Sequence, residues 1–286
     1  MTPEYDLVVV GGGAVGATFA ALAVRQAGLP AARVVVIERD RPPPWTLTEG
    51  YDLRVFALSR ASARILTAAG AWDAIVAARV SPYERMRVWH ESMSPFGNDA
   101  LVFDAAELGE PNLGYIVEGR LIQTALHASL EALGVTIVSA SVESLALAPD
   151  AAVVALGERR LTARLLVGAD GGRSRVRELA GLAATTRDYH QQAIVANVTT
   201  AKPHEETAWQ RFLGYGTLAF LPLANGQCSI VWSVGNSIPS RTRNRRTSTA
   251  TSRARSSSST CGSPLPSPRR TTRPSRCGAR GRSARA

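Results

Sequence analysis

Residues of three kinds are scarce in this sequence of 286 residues, and each scarcity narrows its class. Cysteine occurs only at Cys228, Cys261 and Cys277, without C-x-x-C or metal-ligand spacing, which argues against a disulfide framework or a zinc site and fits a reduced cytoplasm. Lysine occurs once, at Lys202, against 32 arginines, which suggests GC-rich codons. Acidic and aromatic residues are absent from 235–286, so the composition of that segment differs from that of the rest of the chain.

Residues 235–286 contain 13 Arg and 12 Ser and account for more than the whole net charge of +10. Their only large aliphatic residues, Ile238 and Leu265, are too few to offset the entropy of ordering the segment. Two interpretations stay open: a disordered basic arm for nucleic acid or anionic lipid, and out-of-frame translation. We favour the second because the composition changes abruptly after the strand-like Cys228–Val234. Since the preceding residues are slightly acidic, no specific nucleic-acid partner is expected.

A short apolar run, Leu7–Val10, leads directly into three glycines at the G-x-G-x-x-G spacing. The run predicts a buried parallel strand. Gly11 permits a tight turn, Gly13 lets the main chain approach a pyrophosphate, and Gly16 lets the next helix pack closely on the sheet. This arrangement predicts a bound dinucleotide.

The helix predicted after these glycines runs from Ala14 to Ala27 and is ended by Gly28. Its first amides, including those of Ala14 and Val15, point at the predicted phosphates. Leu7–Val24 contains 18 consecutive uncharged residues, but glycines interrupt it and acidic residues precede it. We therefore interpret it as a nucleotide fold rather than a membrane span or signal peptide.

A second predicted strand, Arg33–Ile37, places Glu38 at its carboxyl end. A carboxylate there accepts hydrogen bonds from the ribose hydroxyls of an adenosine and disfavours a 2′-phosphate, so FAD or NAD is preferred over NADP. We count the adjacent Arg39 among the cofactor-binding candidates. Strand, glycines, helix, strand and acid in register predict an α/β fold.

Later segments carry weaker signals. Met86–Trp89 and Ala100–Phe103 predict strands that begin a second sheet, and Leu121–Leu133 predicts a helix with one apolar face. His127 on that helix is most simply a packed or surface histidine. Arg54 could lie over the dinucleotide phosphates, although taken alone it is more simply a surface arginine.

A further candidate edge follows residues 160–167. Predicted strands over Arg160–Ala163 and Leu165–Val167 lead into Asp170 and Gly171, and then into a helical segment that Ser174 could cap. Taken on its own, this pattern is more simply a strand followed by a tight Asp-Gly turn. Alternatively, Asp170 lies at the carboxyl edge of the sheet, where α/β proteins bind their ligands.

These motifs together resemble the group A flavoprotein monooxygenases, and in detail the FAD-dependent hydroxylases of ubiquinone biosynthesis. Besides the glycine fingerprint and Glu38, the resemblance covers residues 5–234 and is carried by the segments Asp52–Ser59, Met86–Trp89, Leu113–Gln123, Gly168–Arg177, Ala208–Phe212 and Leu218–Leu223.

The resemblance implies that bound FAD is reduced by NAD(P)H as a transient reductant and uses O2 to hydroxylate an aromatic polyprenyl phenol or quinol. No catalytic side chain and no metal are then required. It implies these cofactor-binding residues: Gly11, Gly13, Ala14, Val15, Gly16, Glu38, Arg39, Arg54, Arg120, Asp170 and Gly171. It also implies a cytoplasmic protein with peripheral contact at the inner membrane and with other ubiquinone-biosynthesis proteins.

The chain departs from the family pattern at two places. Gly119 replaces an asparagine, and a glycine there is expected to loosen the turn. The family's third motif, Gly-Asp-Ala-Ala-His, is absent, and its usual place falls in the arginine-serine segment. Weak FAD binding and little or no turnover are therefore expected.

The expected fold is a Rossmann-like FAD-binding domain with a parallel sheet and an inserted, mainly antiparallel substrate-domain sheet, incomplete at its carboxyl side. Its parts are FAD-binding segments 1–84 and 105–182, substrate segments 85–104 and 183–234, and the tail 235–286. Two other functions stay open. One is a noncatalytic nucleotide-binding module whose basic tail contacts nucleic acid or membrane, and the other is a flavin reductase or dehydrogenase without oxygenation.

Overall fold

The computed structural model describes residues 2–47 and 50–235, so the basic segment lies outside the described residues except for Gly235. The strands found in these ranges are β1 (Tyr5–Val10), β2 (Val34–Ile37), β3 (Val55–Ser59), β4 (Ser81–Tyr83), β5 (Arg85–His90), β6 (Leu101–Asp104), β7 (Gly114–Glu118), β8 (Thr136–Val138), β9 (Ser144–Leu147), β10 (Ala152–Leu156), β11 (Arg159–Gly168), β12 (Gln191–Val198), β13 (Thr207–Leu213), β14 (Gly216–Pro222) and β15 (Cys228–Gly235). The α-helices are α1 (Ala14–Arg25), α2 (Arg60–Ala68), α3 (Trp72–Ala78), α4 (Gly119–Ala132) and α5 (Arg175–Leu179).

The first sheet has the strand order β8-β2-β1-β11-β10-β9. Strand β1 pairs in parallel with β2 on one side and β11 on the other, and β2 pairs in parallel with β8. The strand β1, the helix α1 and the strand β2 thus form the predicted crossover. The carboxyl ends of the four parallel strands meet at one edge of the sheet, and the α/β prediction is confirmed.

Strand β11 is longer than the sequence predicted. The prediction separated Arg160–Ala163 from Leu165–Val167, whereas one continuous strand covers both segments. Its first half pairs antiparallel with β10 along one edge, and its second half pairs parallel with β1 along the other edge. Ala163 takes part in both pairings. The chain therefore needs no break where the two pairing modes meet.

The second sheet has the strand order β12-β15-β14-β13-β5-β6. Its pairs are antiparallel except for β13 and β5, which run parallel. The segments Met86–Trp89 and Ala100–Phe103 are strands of this sheet, as predicted. A third, small antiparallel sheet has the strand order β3-β7-β4. The strands β3 and β4 and the helix α3 were not predicted from the sequence.

The helices also differ slightly from their predicted bounds. Helix α1 ends two residues early, because the amides of Gln26 and Ala27 both bond to the Leu22 carbonyl oxygen and Gly28 follows in the left-handed region at φ +71°. None of the helices within 2–47 and 50–235 is both long and apolar enough to cross a bilayer.

Tyr51 connects the small sheet with the second sheet. Its carbonyl oxygen accepts a hydrogen bond from Asn197 Nδ2 at 2.9 Å, and its hydroxyl oxygen accepts one from the Ala224 amide at 3.2 Å. Tyr51 also packs with buried Ile116 and Leu223. The segment before β3 is thus held from both sides.

We expect Leu126→Ala to lower the free energy of unfolding by about 2–5 kcal/mol, because Leu126 is fully buried in the core between α1, α4 and the first sheet. Urea denaturation measures the change. The exposed Leu182 provides the matched control, and Leu182→Ala should change the free energy of unfolding by less than about 0.5 kcal/mol. Equal losses in the two variants would contradict this description of the core.

Candidate functional site

A cleft of about 720 Å³ opens at the edge where the parallel strands of the first sheet end. Its walls come from the turn after β1, from the residues after β2 and β11, and from Ala140–Val142 after β8. Six of the predicted cofactor-binding residues line it: Gly11, Gly13, Glu38, Arg39, Asp170 and Gly171. These six residues therefore lie together at one edge of the sheet.

The glycine turn is shaped by close approach of main chain to main chain. Gly11 adopts φ +103°, and a Cβ there would collide with the Ala169 carbonyl oxygen after β11. A Cβ on Gly16 would collide with the Gly11 carbonyl oxygen and approach the Ala169 Cβ at 3.0 Å. These two glycines let α1 and the first sheet touch.

Gly13 differs from them, since a Cβ there would meet nothing within 4 Å. It precedes α1, and Ala14 and Val15 form the exposed start of that helix. The main chain at Gly13 is therefore bare and faces the cleft, which suits the close approach of a phosphate.

Gly12, between the fingerprint glycines, is held by three side chains. Its amide donates to Glu38 Oε2 at 2.7 Å. Its carbonyl oxygen accepts from Gln123 Nε2 at 3.2 Å and lies 2.6 Å from His127 Nε2. Because a carbonyl oxygen can only accept, the His127 imidazole must carry a proton on Nε2. Sequence analysis missed this role of His127, since helical periodicity reports only that a residue is buried.

Glu38 is oriented before any ligand binds. Besides the Gly12 amide, its carboxylate accepts the Asp40 amide at 3.2 Å through Oε1. A carboxylate has about four acceptor positions, so capacity remains for ribose hydroxyls. The Arg39 side chain is exposed at the margin of the cleft and pairs with Asp40 at 2.6 Å.

Asp170 holds the start of α5 rather than projecting freely. Its Oδ1 accepts from the Ser174 hydroxyl at 2.5 Å, and its Oδ2 accepts from the amides of Arg175 and Val176 at 2.6 and 3.1 Å. Burial alone would raise the pKa of the Asp170 carboxyl, but these hydrogen bonds outweigh it and hold the pKa below its ordinary value. Ser174 caps α5 as predicted, accepting from the Arg177 amide at 3.0 Å.

Arg54 and Arg120 do not line the cleft. They flank the β7–α4 junction, where Arg120 Nε lies 3.0 Å from Asp52 Oδ2 and the Arg54 guanidinium lies 5.4 Å from the Phe56 ring centroid. Gly119 begins α4, and its amide donates to the Arg54 carbonyl oxygen at 2.9 Å. The turn that Gly119 was expected to loosen is thus closed by a main-chain hydrogen bond. A Cβ on Gly119 would lie 2.7 Å from Phe56 Cε2, so the ring occupies the space that a side chain would need.

A buried ion pair between Glu118 and Arg79 stabilises this junction. Glu118 is 2% exposed, and its Oε2 accepts from Arg79 at 2.7 Å. Its Oε1 accepts the Asp52 amide at 2.9 Å, which places the Asp52 carboxylate against Arg120. Within 2–47 and 50–235, no three His, Cys, Asp or Glu side chains form a group that could hold a metal ion.

Comparison with known proteins gives matches in sequence and in structure. A family described as "FAD binding domain" matches residues 4–285. The 3-demethoxyubiquinol 3-hydroxylase of Escherichia coli K12 is 37% identical over 230 residues, which cover 79% of this chain and 56% of that protein. The ubiquinone biosynthesis monooxygenase COQ6 of Xenopus tropicalis is 35% identical over 245 residues, which cover 80% of this chain and 51% of that protein. The chain thus spans about half the length of these curated relatives.

Among solved structures, PqsL of P. aeruginosa in complex with 2-aminobenzoylacetate has a TM-score of 0.64 and 22% sequence identity, covering 84% of this chain and 62% of that one. This likeness shows a shared fold.

We expect Gly11→Ala to destabilise the fold by about 1–3 kcal/mol, because the new methyl group meets the Ala169 carbonyl and the backbone is strained. Gly28→Ala, at φ +71° in open space, isolates the conformational cost of about 1–2 kcal/mol. Gly13→Ala should leave the unliganded fold within about 0.5 kcal/mol of the parent. Urea denaturation measures the free energy of unfolding of all three variants. If Gly13→Ala lost as much as Gly11→Ala, the conclusion that Gly13 has open space where Gly11 has none would be wrong.

Asp170 also predicts a pH dependence. Its folded-state pKa lies below the ordinary 3.8, so the ionised carboxylate stabilises the fold at neutral pH and this stabilisation is lost as the pH falls from 3.8 through the lowered pKa. Asp170→Asn should therefore be less stable at pH 7 and lose less on going to pH 3 than the parent. Thermal melts at both pH values measure the difference, with the exposed Asp150→Asn as control. Parallel profiles for the parent and Asp170→Asn would contradict the geometry.

Proposed function

The chain belongs to the FAD binding domain family, and on that premise we propose that its cleft holds FAD for hydroxylation of the aromatic ring of a ubiquinone precursor. The bare main chain at Gly13 chiefly supports this, because it lies beside an oriented carboxylate, Glu38, at the edge where the four parallel strands end. That arrangement fits the pyrophosphate and the adenosine ribose of FAD.

The amides of Gly13, Ala14 and Val15 would face the pyrophosphate, with Gly11 and Gly16 providing the close packing that makes room for it. Glu38 would hold the adenosine ribose. Further candidates for cofactor contact are the residues that the sequence analysis assigned to FAD: Arg39, Arg54, Arg120, Asp170 and Gly171.

Asp170 would act indirectly, because its carboxylate is hydrogen-bonded to the start of α5. In this way it would hold the adjacent Gly171, which lines the cleft, in place for FAD. Arg54 and Arg120 lie outside the cleft, at the β7–α4 junction, and would meet a part of FAD that extends beyond the cleft. Asp52 and Glu118 would keep Arg120 in place there.

Bound FAD supplies the redox chemistry, so the protein needs no nucleophile of its own. In the balanced reaction NAD(P)H donates a hydride, a proton is taken up, and O2 is split between the ring, which gains a hydroxyl oxygen, and water. The task of the residues is to bind, to orient and to exclude solvent from the reacting ring.

The substrate class follows from the relatives, which are named as hydroxylases or monooxygenases of ubiquinone biosynthesis. A small aromatic polyprenyl phenol or quinol is accordingly the proposed substrate, with O2 as cosubstrate. A cytoplasmic location, peripheral contact with the inner membrane and contact with other ubiquinone-biosynthesis proteins rest on the resemblance alone. The noncatalytic nucleotide-binding alternative is not favoured, because the relatives are named as enzymes.

We expect the purified chain to bind FAD saturably but weakly, since the third motif is absent, and Glu38→Gln to weaken binding roughly tenfold by removing a charged ribose acceptor. Quenching of flavin fluorescence measures the affinity, and thermal protection by FAD gives an independent readout. Glu158→Gln, in the exposed β10–β11 turn, is the matched control.

If the chain shows neither saturable FAD binding nor thermal protection, the proposal fails. Product analysis under isotopically labelled O2 then separates the chemistry. Label in the aromatic product supports hydroxylation, whereas NAD(P)H oxidation with no label in the aromatic compound, the reduced oxygen leaving as labelled hydrogen peroxide, would indicate a flavin reductase or dehydrogenase.

A further inference from the structure

The peptide between Gly12 and Gly13 is fixed from behind by helix α4. The Gly12 carbonyl oxygen faces His127 Nε2 at 2.6 Å and accepts from Gln123 Nε2 at 3.2 Å. His127 is 4% exposed, so its imidazole has little freedom to move away. Gln123 and His127 lie four residues apart, which places them on one face of the helix.

A trans peptide is planar, and its C=O and N–H point in opposite directions. Since the Gly12 carbonyl points into α4, the Gly13 N–H must point away from α4. Gly13 lines the cleft and has open space where a Cβ would stand. Within 2–47 and 50–235, the Gly13 amide donates to no other group.

The other side of Gly12 is fixed as well. Its amide donates to Glu38 Oε2 at 2.7 Å. A Cβ on Gly12 would lie 3.0 Å from Glu38 Cβ and 3.2 Å from His127 Nε2, so even a methyl group would press on both partners. Both peptide groups of Gly12 are therefore hydrogen-bonded. Glu38, after β2, accepts from its amide, and two side chains of α4 donate to its carbonyl oxygen.

We propose that His127, assisted by Gln123, is a positioning residue that aims the Gly13 amide at a diphosphate in the cleft. The inference rests on the proposed dinucleotide site and adds two residues to it, Gln123 and His127, which lie 111 and 115 positions from Gly12 in the sequence. Because the Gly13 amide is already oriented, no free energy is lost in reorienting it when the anion binds, and the affinity for the anion is therefore higher.

The test compares ADP with adenosine as ligands of the same 286-residue chain, by isothermal titration calorimetry. ADP reports on the diphosphate, and adenosine reports on the Glu38 side alone. His127→Leu removes the Nε2 donor and replaces the imidazole by an apolar side chain of similar size. We expect it to weaken ADP roughly tenfold while leaving adenosine unchanged. His127→Gln, whose amide can reach the place of Nε2, should restore most of the ADP affinity.

Ser129→Ala is the matched control, because Ser129 lies on the same helix, is buried, and donates to the Ala69 carbonyl oxygen at 2.7 Å. It should lower the melting temperature and leave the ratio of ADP to adenosine affinity unchanged. If His127→Leu fails to fold, Gln123→Leu replaces it and should show the same selective loss of ADP, of smaller size.

Three results would overturn the inference: unchanged ADP affinity in the leucine variants, equal weakening of ADP and adenosine, or a parent chain that binds ADP no more tightly than adenosine. The first two leave the proposed FAD function intact. A parent that binds neither ADP, adenosine nor FAD would overturn both the inference and the proposed function.

Discussion

The structure depends on main chain lying directly against main chain where β1, β11 and α1 meet. Gly11 and Gly16 leave no room for a Cβ because the Ala169 carbonyl and the Gly11 carbonyl occupy that space. This contact sets the distance between helix and sheet, and so decides where the bare amides at the start of α1 lie relative to Glu38. A methyl group at either glycine would separate the elements that line the cleft. The sequence fingerprint is therefore first a packing requirement, and the bare Gly13 is the one glycine of the three whose open side faces the cleft.

Strand β11 connects that contact with the rest of the molecule. Its second half carries Ala169 and Asp170 to the cleft beside β1, while its first half is paired with β10. The second sheet is tied in elsewhere, through Tyr51, which bonds to Asn197 and Ala224. Asp52 follows Tyr51 directly and holds Arg120, so the anchoring of the second sheet also fixes an arginine at the start of α4. The cleft and the junction around Arg54 and Arg120 are thus two regions joined through α4.

Features encoded locally could be predicted from the sequence, and those made by distant pairs could not. The strand, the glycines and Glu38 lie within one crossover, where spacing alone fixes their geometry. The contact of His127 with Gly12 joins residues 115 positions apart, and a helical apolar pattern shows that a residue is buried without showing what it touches. The continuous β11 was divided in the prediction because a change of pairing partner leaves no mark in the sequence. Helix α3 and strand β4 are short and are held by their neighbours rather than by their own periodicity.

The charges around the cleft follow one rule: each carboxylate at the strand ends is already bound to main-chain amides. Glu38 accepts from Gly12 and Asp40, and Asp170 accepts from Arg175 and Val176. Each is a carboxylate within reach of the cleft whose negative charge is partly offset by these donors, which lessens repulsion of an incoming diphosphate. The donors left over are the amides at Gly13 and in the first turn of α1, at the positive end of the helix dipole. Fixed acids and an unengaged helix start together give this edge hydrogen-bond acceptors on one side and main-chain donors on the other, which is what the proposed ligand, with its ribose hydroxyls and phosphates, requires.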